Sequence, residues 1–189
     1  MPKALLGTIA VLGALSGLVG CGQGEETGDK GYVAGNGIVT VLPEAEREPP
    51  GPVKGRTLEG RPLSLENYAG KTVVINVWGS WCAPCRAEAS DLVEAAADLK
   101  DDGVAFMGIN TRDPAPANGI AFARRYNVTY PSLYDEAGRT LLAFNKTVPP
   151  SAIPSTLVID NKGRVAASII GETTKATLIG VVREVLEAT

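Results

Sequence analysis

The sequence predicts an α/β domain, and three observations carry that expectation. Thr72–Trp78 is a near-continuous apolar run rich in β-branched residues, the pattern of a strand buried on both faces. A helical stretch, Ala87–Leu99, follows it, and a second short apolar run, Val104–Asn110, then reads as a parallel neighbour reached by a right-handed crossover. Towards the C-terminus the order continues as strand Ser155–Ile159, turn Asp160–Gly163, strand Arg164–Ile170 and a last helix, Thr174–Leu186.

From the N-terminus, Lys3 gives a weakly positive start and Ala4–Gly20 an apolar run of signal-peptide size. Leu18-Val19-Gly20-Cys21 then resembles a bacterial lipobox. An ordinary secretory signal and a retained anchor helix are the alternatives; several glycines and a length under about 18 good apolar residues argue against a stable span. Residues 1–20 are therefore read as a lipoprotein signal peptide, with Cys21 the lipidated residue. Residues 21–52 are read as tether and linker, because Gly22–Gly31 is rich in Gly, Glu and Asp without apolar period. Within it, Tyr32–Ala34 and Ile38–Val41 flank a Gly35-Asn36-Gly37 turn signal and are expected as a small hairpin, and Pro43–Pro52 is linker-like.

Residues 53–189 are read as one domain. Val53–Leu58 and Arg61–Leu65 surround a Glu59-Gly60 turn and predict a hairpin ahead of the first buried strand. After Val104–Asn110, Pro116–Tyr126 spaces Ile120, Phe122, Ala123 and Tyr126 so as to bury one helical face. Tyr130–Gly138 and a short helix near Thr140–Phe144 lead into the final strands. A formal net charge of −3 with no basic run leaves no nucleic-acid footprint.

The chemistry concentrates in Trp78-Gly79-Ser80-Trp81-Cys82-Ala83-Pro84-Cys85-Arg86. A cysteine at a strand-to-helix junction lies among unpaired N–H groups at the positive end of the helix dipole, which favours thiolate, so Cys82 is the candidate nucleophile. Cys85 lies on the same helical face and can close a short disulfide with it. Pro84 suits the first helical turn. The chain holds three cysteines and no histidine, so a complete zinc site within one chain is excluded by counting; two unrelated buried cysteines remain the bland alternative.

The WCAPC segment after VVINVWGS resembles the active-site segment of the thioredoxin superfamily, and more narrowly the membrane-tethered TlpA, ResA and DsbE-like group. The resemblance runs from about Val53 to Leu186 and includes Ile153-Pro154-Ser155-Thr156-Leu157-Val158-Ile159-Asp160 followed by Asn161-Lys162-Gly163. It implies a thioredoxin-like fold, a central mixed sheet flanked by helices, with the N-terminal β-hairpin and a TlpA-type strand-helix insertion. Thioredoxins carry a buried aspartate six residues before the first cysteine, where this chain has Asn76. In the ResA branch a glutamate three residues after the second cysteine tunes the thiols, and here that position is Glu88. A first-turn glutamate complementing the helix dipole at the surface is the other reading of Glu88. The resemblance also makes Pro154 a cis-proline beside the cysteines, with Ile153 contacting the partner; a trans proline opening an edge strand is the alternative. Trp81, Ala83 and Pro84 complete the expected partner-binding set. Trp78 and Trp81 shield the disulfide or, for Trp78 above all, pack in the core.

By this resemblance the function is extracytoplasmic thiol-disulfide exchange, in the direction of reduction, on disulfides of exported proteins. Apocytochrome c is the substrate among relatives that serve cytochrome c maturation, and a membrane electron donor of the CcdA or DsbD type re-reduces the pair. No cofactor or metal is called for. A disulfide-forming oxidase is the main alternative. A peroxidase of the peroxiredoxin group needs Pro and Thr where this chain has Ile75 and Gly79, and a lipoprotein with a purely structural CxxC gains little from so short a loop. With no histidine between the cysteines, only the helix terminus lowers the Cys82 pKa, and an ionised Glu88 raises it again.

Overall fold

The structure is a computed structural model that describes residues 37–189. A six-stranded mixed sheet runs in the order β1-β8-β7-β4-β5-β6, built from β1 (Ile38–Val41), β4 (Val73–Trp78), β5 (Ala105–Thr111), β6 (Ser132–Asp135), β7 (Ser155–Ile159) and β8 (Val165–Ile170). A separate hairpin joins β2 (Lys54–Arg56) to β3 (Pro62–Ser64). The helices are α1 (Ala83–Asp98), α2 (Pro116–Arg125) and α3 (Lys175–Glu187). Strands β4, β5 and β6 are mutually parallel, while β7, β8 and β1 alternate antiparallel on the other side. This is the thioredoxin-like fold expected from the sequence, and α2 with β6 supplies the added helix and strand.

Period-two alternation divides the core between the two faces of the sheet. Val73, Ile75 and Val77 join Met107, Ile109, Leu133, Leu157 and Ile159 beneath Leu141, Phe144 and Val148. Val74, Phe106, Val158 and Ile169 face the other way, against Leu92, Ala95 and Leu99 of α1 and Leu178, Val181, Val182 and Val185 of α3. All six residues of β4 are buried, the polar Asn76 among them.

Residues 37–52 depart from the expectation of a linker. Ile38–Val41 pairs antiparallel with β8, in the register Ile38↔Ile170 to Val41↔Ala167. The chain after it is pinned to the domain. Leu42 N–H donates to the Ala166 carbonyl at 2.8 Å, and Val165 N–H to the Glu48 carbonyl at 2.9 Å. The Arg47 guanidinium is buried against Asp160 at 3.5 Å and donates to the Leu42 carbonyl at 3.1 Å. A buried cation with its counter-ion on β7's far turn makes this segment part of the fold, so the folded unit starts well before residue 53. The expected signal peptide, Cys21, the Gly22–Gly31 leash and Tyr32–Ala34 lie outside the described residues. Among the described residues no helix is long and apolar enough to cross a membrane.

Candidate active site

The site forms where the parallel strands end. β4 delivers Trp78 to the sheet edge, the chain turns through Gly79-Ser80-Trp81, and Cys82 caps α1. The helix starts at Ala83, four residues earlier than the sequence pattern placed it, because Cys82 has extended backbone (φ −82°, ψ 116°) and its sulfur accepts the Cys85 N–H at 3.2 Å. The sulfur therefore occupies the place of a capping oxygen among the first N–H groups of the helix. Cys82 and Cys85 form a disulfide, with Cα atoms 5.3 Å apart. Both are buried, in a small cluster with Trp78, Ala89, Phe122 and Leu58. Trp78 stacks on Phe122 with ring centroids 4.4 Å apart and is a core residue, whereas Trp81 is 49% exposed. Ala83 and Pro84 are exposed beside it.

The Ile153–Pro154 peptide bond is cis. Because β7 is antiparallel to β4, with Val77 opposite Ser155, the start of β7 lies beside the end of β4 and brings Pro154 to the cysteine end of the sheet. Half-buried Ile153 packs against the cluster that contains both cysteines.

Glu88 is 1% exposed, one turn beyond Cys85 in α1. Its Oε1 accepts from the Asn76 side-chain amide at 3.0 Å, and its Oε2 accepts from the Thr173 backbone N–H at 3.0 Å. Asn76 also donates to Thr156 Oγ1 at 3.4 Å. Burial pushes the Glu88 pKa up from the ordinary 4.5 to about 8; the Thr173 and Asn76 donors oppose this, and the charges of Glu172 and Asp91 add to it. The surface reading of Glu88 thus does not apply. The Tyr130 hydroxyl is raised too, by burial first and by Glu88 second.

The site thus joins a strand-to-helix turn carrying a buried cysteine pair, a cis-proline at the start of the adjoining strand and a buried carboxyl one turn on. The Redoxin family model matches residues 43–183. The chain belongs to the Redoxin family. Within that family it is similar to the thiol-disulfide oxidoreductase ResA of Geobacillus thermodenitrificans, 36% identical over 118 residues, which is 62% of this chain and 65% of that relative. The chain thus spans about 65% of the length of this curated relative. A DsbF homologue from Corynebacterium diphtheriae has the same fold, with a TM-score of 0.73 and 37% identity over 81% of this chain and 96% of that one. A secreted thiol-disulfide isomerase from Corynebacterium glutamicum gives a TM-score of 0.75 at 31% identity, over 79% of this chain and 92% of that one.

This member of the Redoxin family also holds site residues that motif reading missed. Asp113, 1% exposed, accepts from the Ser80 N–H at 3.1 Å and from its hydroxyl at 2.6 Å. The Thr111 carbonyl accepts the Trp81 indole N–H at 3.2 Å, and Thr173 supplies a backbone donor to Glu88. No spacing rule points to these contacts, since they join segments remote in sequence. The one available hint is the Thr111-Arg112-Asp113-Pro114 turn signal directly after an apolar strand, where loop residues carry function.

Proposed function

We propose that this protein is an extracytoplasmic thiol-disulfide oxidoreductase that reduces disulfides in exported proteins. The observation that carries the proposal is the Cys82–Cys85 disulfide at the start of α1, backed by a buried Glu88. In the reduced protein the Cys82 thiolate attacks one sulfur of a partner disulfide; that S–S bond breaks and the partner's other sulfur leaves as a thiol after taking up a proton. Cys85 then gives up its proton and attacks Cys82 in the mixed disulfide, which releases the second partner thiol and leaves Cys82–Cys85 oxidised. The partner gains two electrons from the two sulfurs and two protons, one given up by Cys85 and one taken from the solvent. Glu88, with a pKa of about 8, is matched to an ordinary thiol near 8.5 and exchanges a proton with Cys85 at little cost. Ile153, Pro154, Trp81, Ala83 and Pro84 form the partner-binding rim.

Apocytochrome c is the substrate we propose by resemblance to the ResA and DsbE-like group, with a CcdA- or DsbD-type membrane donor restoring the dithiol. Cleavage after Gly20 and lipidation of Cys21 would fix the domain to the outer face of the cell membrane, which also accounts for a third cysteine in an exported chain. The test uses purified protein lacking residues 1–21, assayed for insulin reduction with dithiothreitol. Cys82→Ser abolishes turnover, whereas Cys85→Ser accumulates mixed disulfides. Equal loss without trapping in both variants refutes Cys82 as nucleophile. A reduction potential near thioredoxin's, about −270 mV, supports the reductase direction, and one above about −150 mV favours the oxidase. Palmitate labelling of wild type but not Cys21→Ala tests the anchor.

A further inference from the structure

Thr111, the last residue of β5, and the two residues after it contact the cysteine loop, the end of β6 and the loop that leads to Pro154. The Thr111 carbonyl accepts the Trp81 indole N–H at 3.2 Å. Arg112 sits at φ +56°, a left-handed conformation rare for a side-chain-bearing residue and a mark of local strain held by its surroundings. Its N–H donates to the Asp135 carbonyl at 3.1 Å, and its guanidinium reaches the Pro150 carbonyl at 3.1 Å, in the loop that leads to Pro154. Asp113 then turns its buried carboxylate onto Ser80, taking both the backbone N–H and the hydroxyl, and accepts from the Asn110 side-chain amide as well. The left-handed residue is what allows consecutive positions to diverge towards the cysteine loop on one side and the cis-proline loop on the other.

Ser80 has no polar group left free. Its N–H and hydroxyl go to Asp113, and its carbonyl accepts from Arg86 at 2.8 Å. Trp81 is equally constrained: a Cβ on Gly79 would lie 2.5 Å from the indole nitrogen, so the ring rests directly on the Gly79 backbone while bonded to Thr111. The exposed indole beside Cys82 is thus a fixed wall whose position is set from β5, and the loop at Pro150, which leads to Pro154, is tied to the same segment.

We propose that Asp113 and Arg112 are positioning residues that set the spacing between the Trp81 wall and the Pro154 loop, and so determine how well a polypeptide disulfide seats at Cys82. The proposal rests on the thiol-disulfide exchange function above. It predicts a split between large and small disulfides. A polypeptide needs both the wall and the loop in place, whereas a small aromatic disulfide such as 5,5′-dithiobis(2-nitrobenzoate) needs only the sulfur.

The experiment compares wild type with Asp113→Asn, which keeps the shape but turns a donor towards donors, and with Arg112→Ala, which leaves the Asp113 bonds intact. Ser80→Ala, which removes one hydroxyl bond, serves if Asp113→Asn does not fold. Three quantities are read: kcat/KM for insulin, the rate of the reduced protein with the small disulfide, and acrylamide quenching of tryptophan fluorescence, which reports Trp81 because Trp78 is buried. The expected result is at least a tenfold loss on insulin with less than a twofold change on the small disulfide, and increased quenching in Asp113→Asn and Ser80→Ala. Equal losses on both disulfides, or unchanged insulin turnover, overturn it. Should wild type itself fail to reduce insulin, the exchange function fails. The quenching comparison then decides the clamp alone, increased access supporting it and unchanged access refuting it.

Discussion

Glu88 makes the stability of the oxidised protein depend on pH in a direction opposite to that of most paired carboxylates. Its pKa is about 8 in the folded chain against an ordinary 4.5, so between those values the folded protein keeps a proton that the unfolded chain has lost. Stability from this group is fully present below pH 4.5 and is lost as pH rises through about 8. At 1.36 kcal/mol per pH unit the whole window amounts to about 5 kcal/mol, and we expect about 3–5 kcal/mol. Glu88→Gln removes this dependence. The variant carries its own fixed cost, since its amide group must face either Asn76 or Thr173, both donors, but that cost does not change with pH. The assay is urea unfolding of the oxidised proteins at pH 5, 7 and 9, where neither cysteine titrates because both are in the disulfide. The wild type should lose about 3–5 kcal/mol relative to Glu88→Gln from pH 5 to pH 9. Parallel stability curves, within about 1 kcal/mol, or a wild type that gains on the variant with rising pH, would refute the buried, proton-holding carboxyl.

Two further outcomes follow from contacts away from the sulfurs. Arg47→Ala strands a buried Asp160 that still keeps Arg164 at 2.8 Å, so the loss should fall near the low end for broken buried pairs, about 3 kcal/mol in urea unfolding, with insulin turnover of the folded variant unchanged at 25 °C. Gly79→Ala drives a methyl group into the Trp81 indole and against the Thr111 carbonyl 3.1 Å away. The ring must leave its hydrogen bond, which should appear as stronger acrylamide quenching and a fall in kcat/KM for insulin of about tenfold, while a fluorescence signal identical to wild type would refute that packing.

What was legible in the sequence was what local pattern can encode. β4 and β7 are short runs rich in β-branched residues, and their bounds follow from composition within a residue. The start of α1 was legible in part: helical periodicity reaches back only to Ala87, while Pro84 and a cysteine at the junction point to the earlier first turn that the Cys82 sulfur caps. The role of Ile38–Val41 was not legible. The strand pairs with residues far away on β8, and no short window records that partner. At the site, the cysteines and Pro154 were visible as motif. The depth of Glu88 was not decided by spacing, since α1 is rich in alanine and offers little contrast between its faces. Asp113 was invisible for the same reason as Arg47: each is buried by a partner that only the finished fold brings near, Ser80 in one case and Asp160 in the other.

The proton-holding state of Glu88 changes the argument about what tunes the thiols. An ionised Glu88 would raise the cysteine pKa by charge repulsion, but a carboxyl with a pKa of about 8 is mostly neutral at pH 7 and repels little. On the proposed mechanism the ionised minority, about a tenth at pH 7, takes up the Cys85 proton, and repulsion becomes large only in alkaline solution. Asn76 is part of the same arrangement. In thioredoxins this strand position carries a buried carboxylate; here an amide occupies it and donates to a carboxyl that comes from α1 instead. The buried acid here comes from the helix, one turn beyond Cys85, while the helix terminus and its N–H groups favour the Cys82 thiolate. On the proposed mechanism the two sulfurs are thereby controlled by separate devices, Cys82 by backbone N–H groups that do not titrate and Cys85 by a group that does.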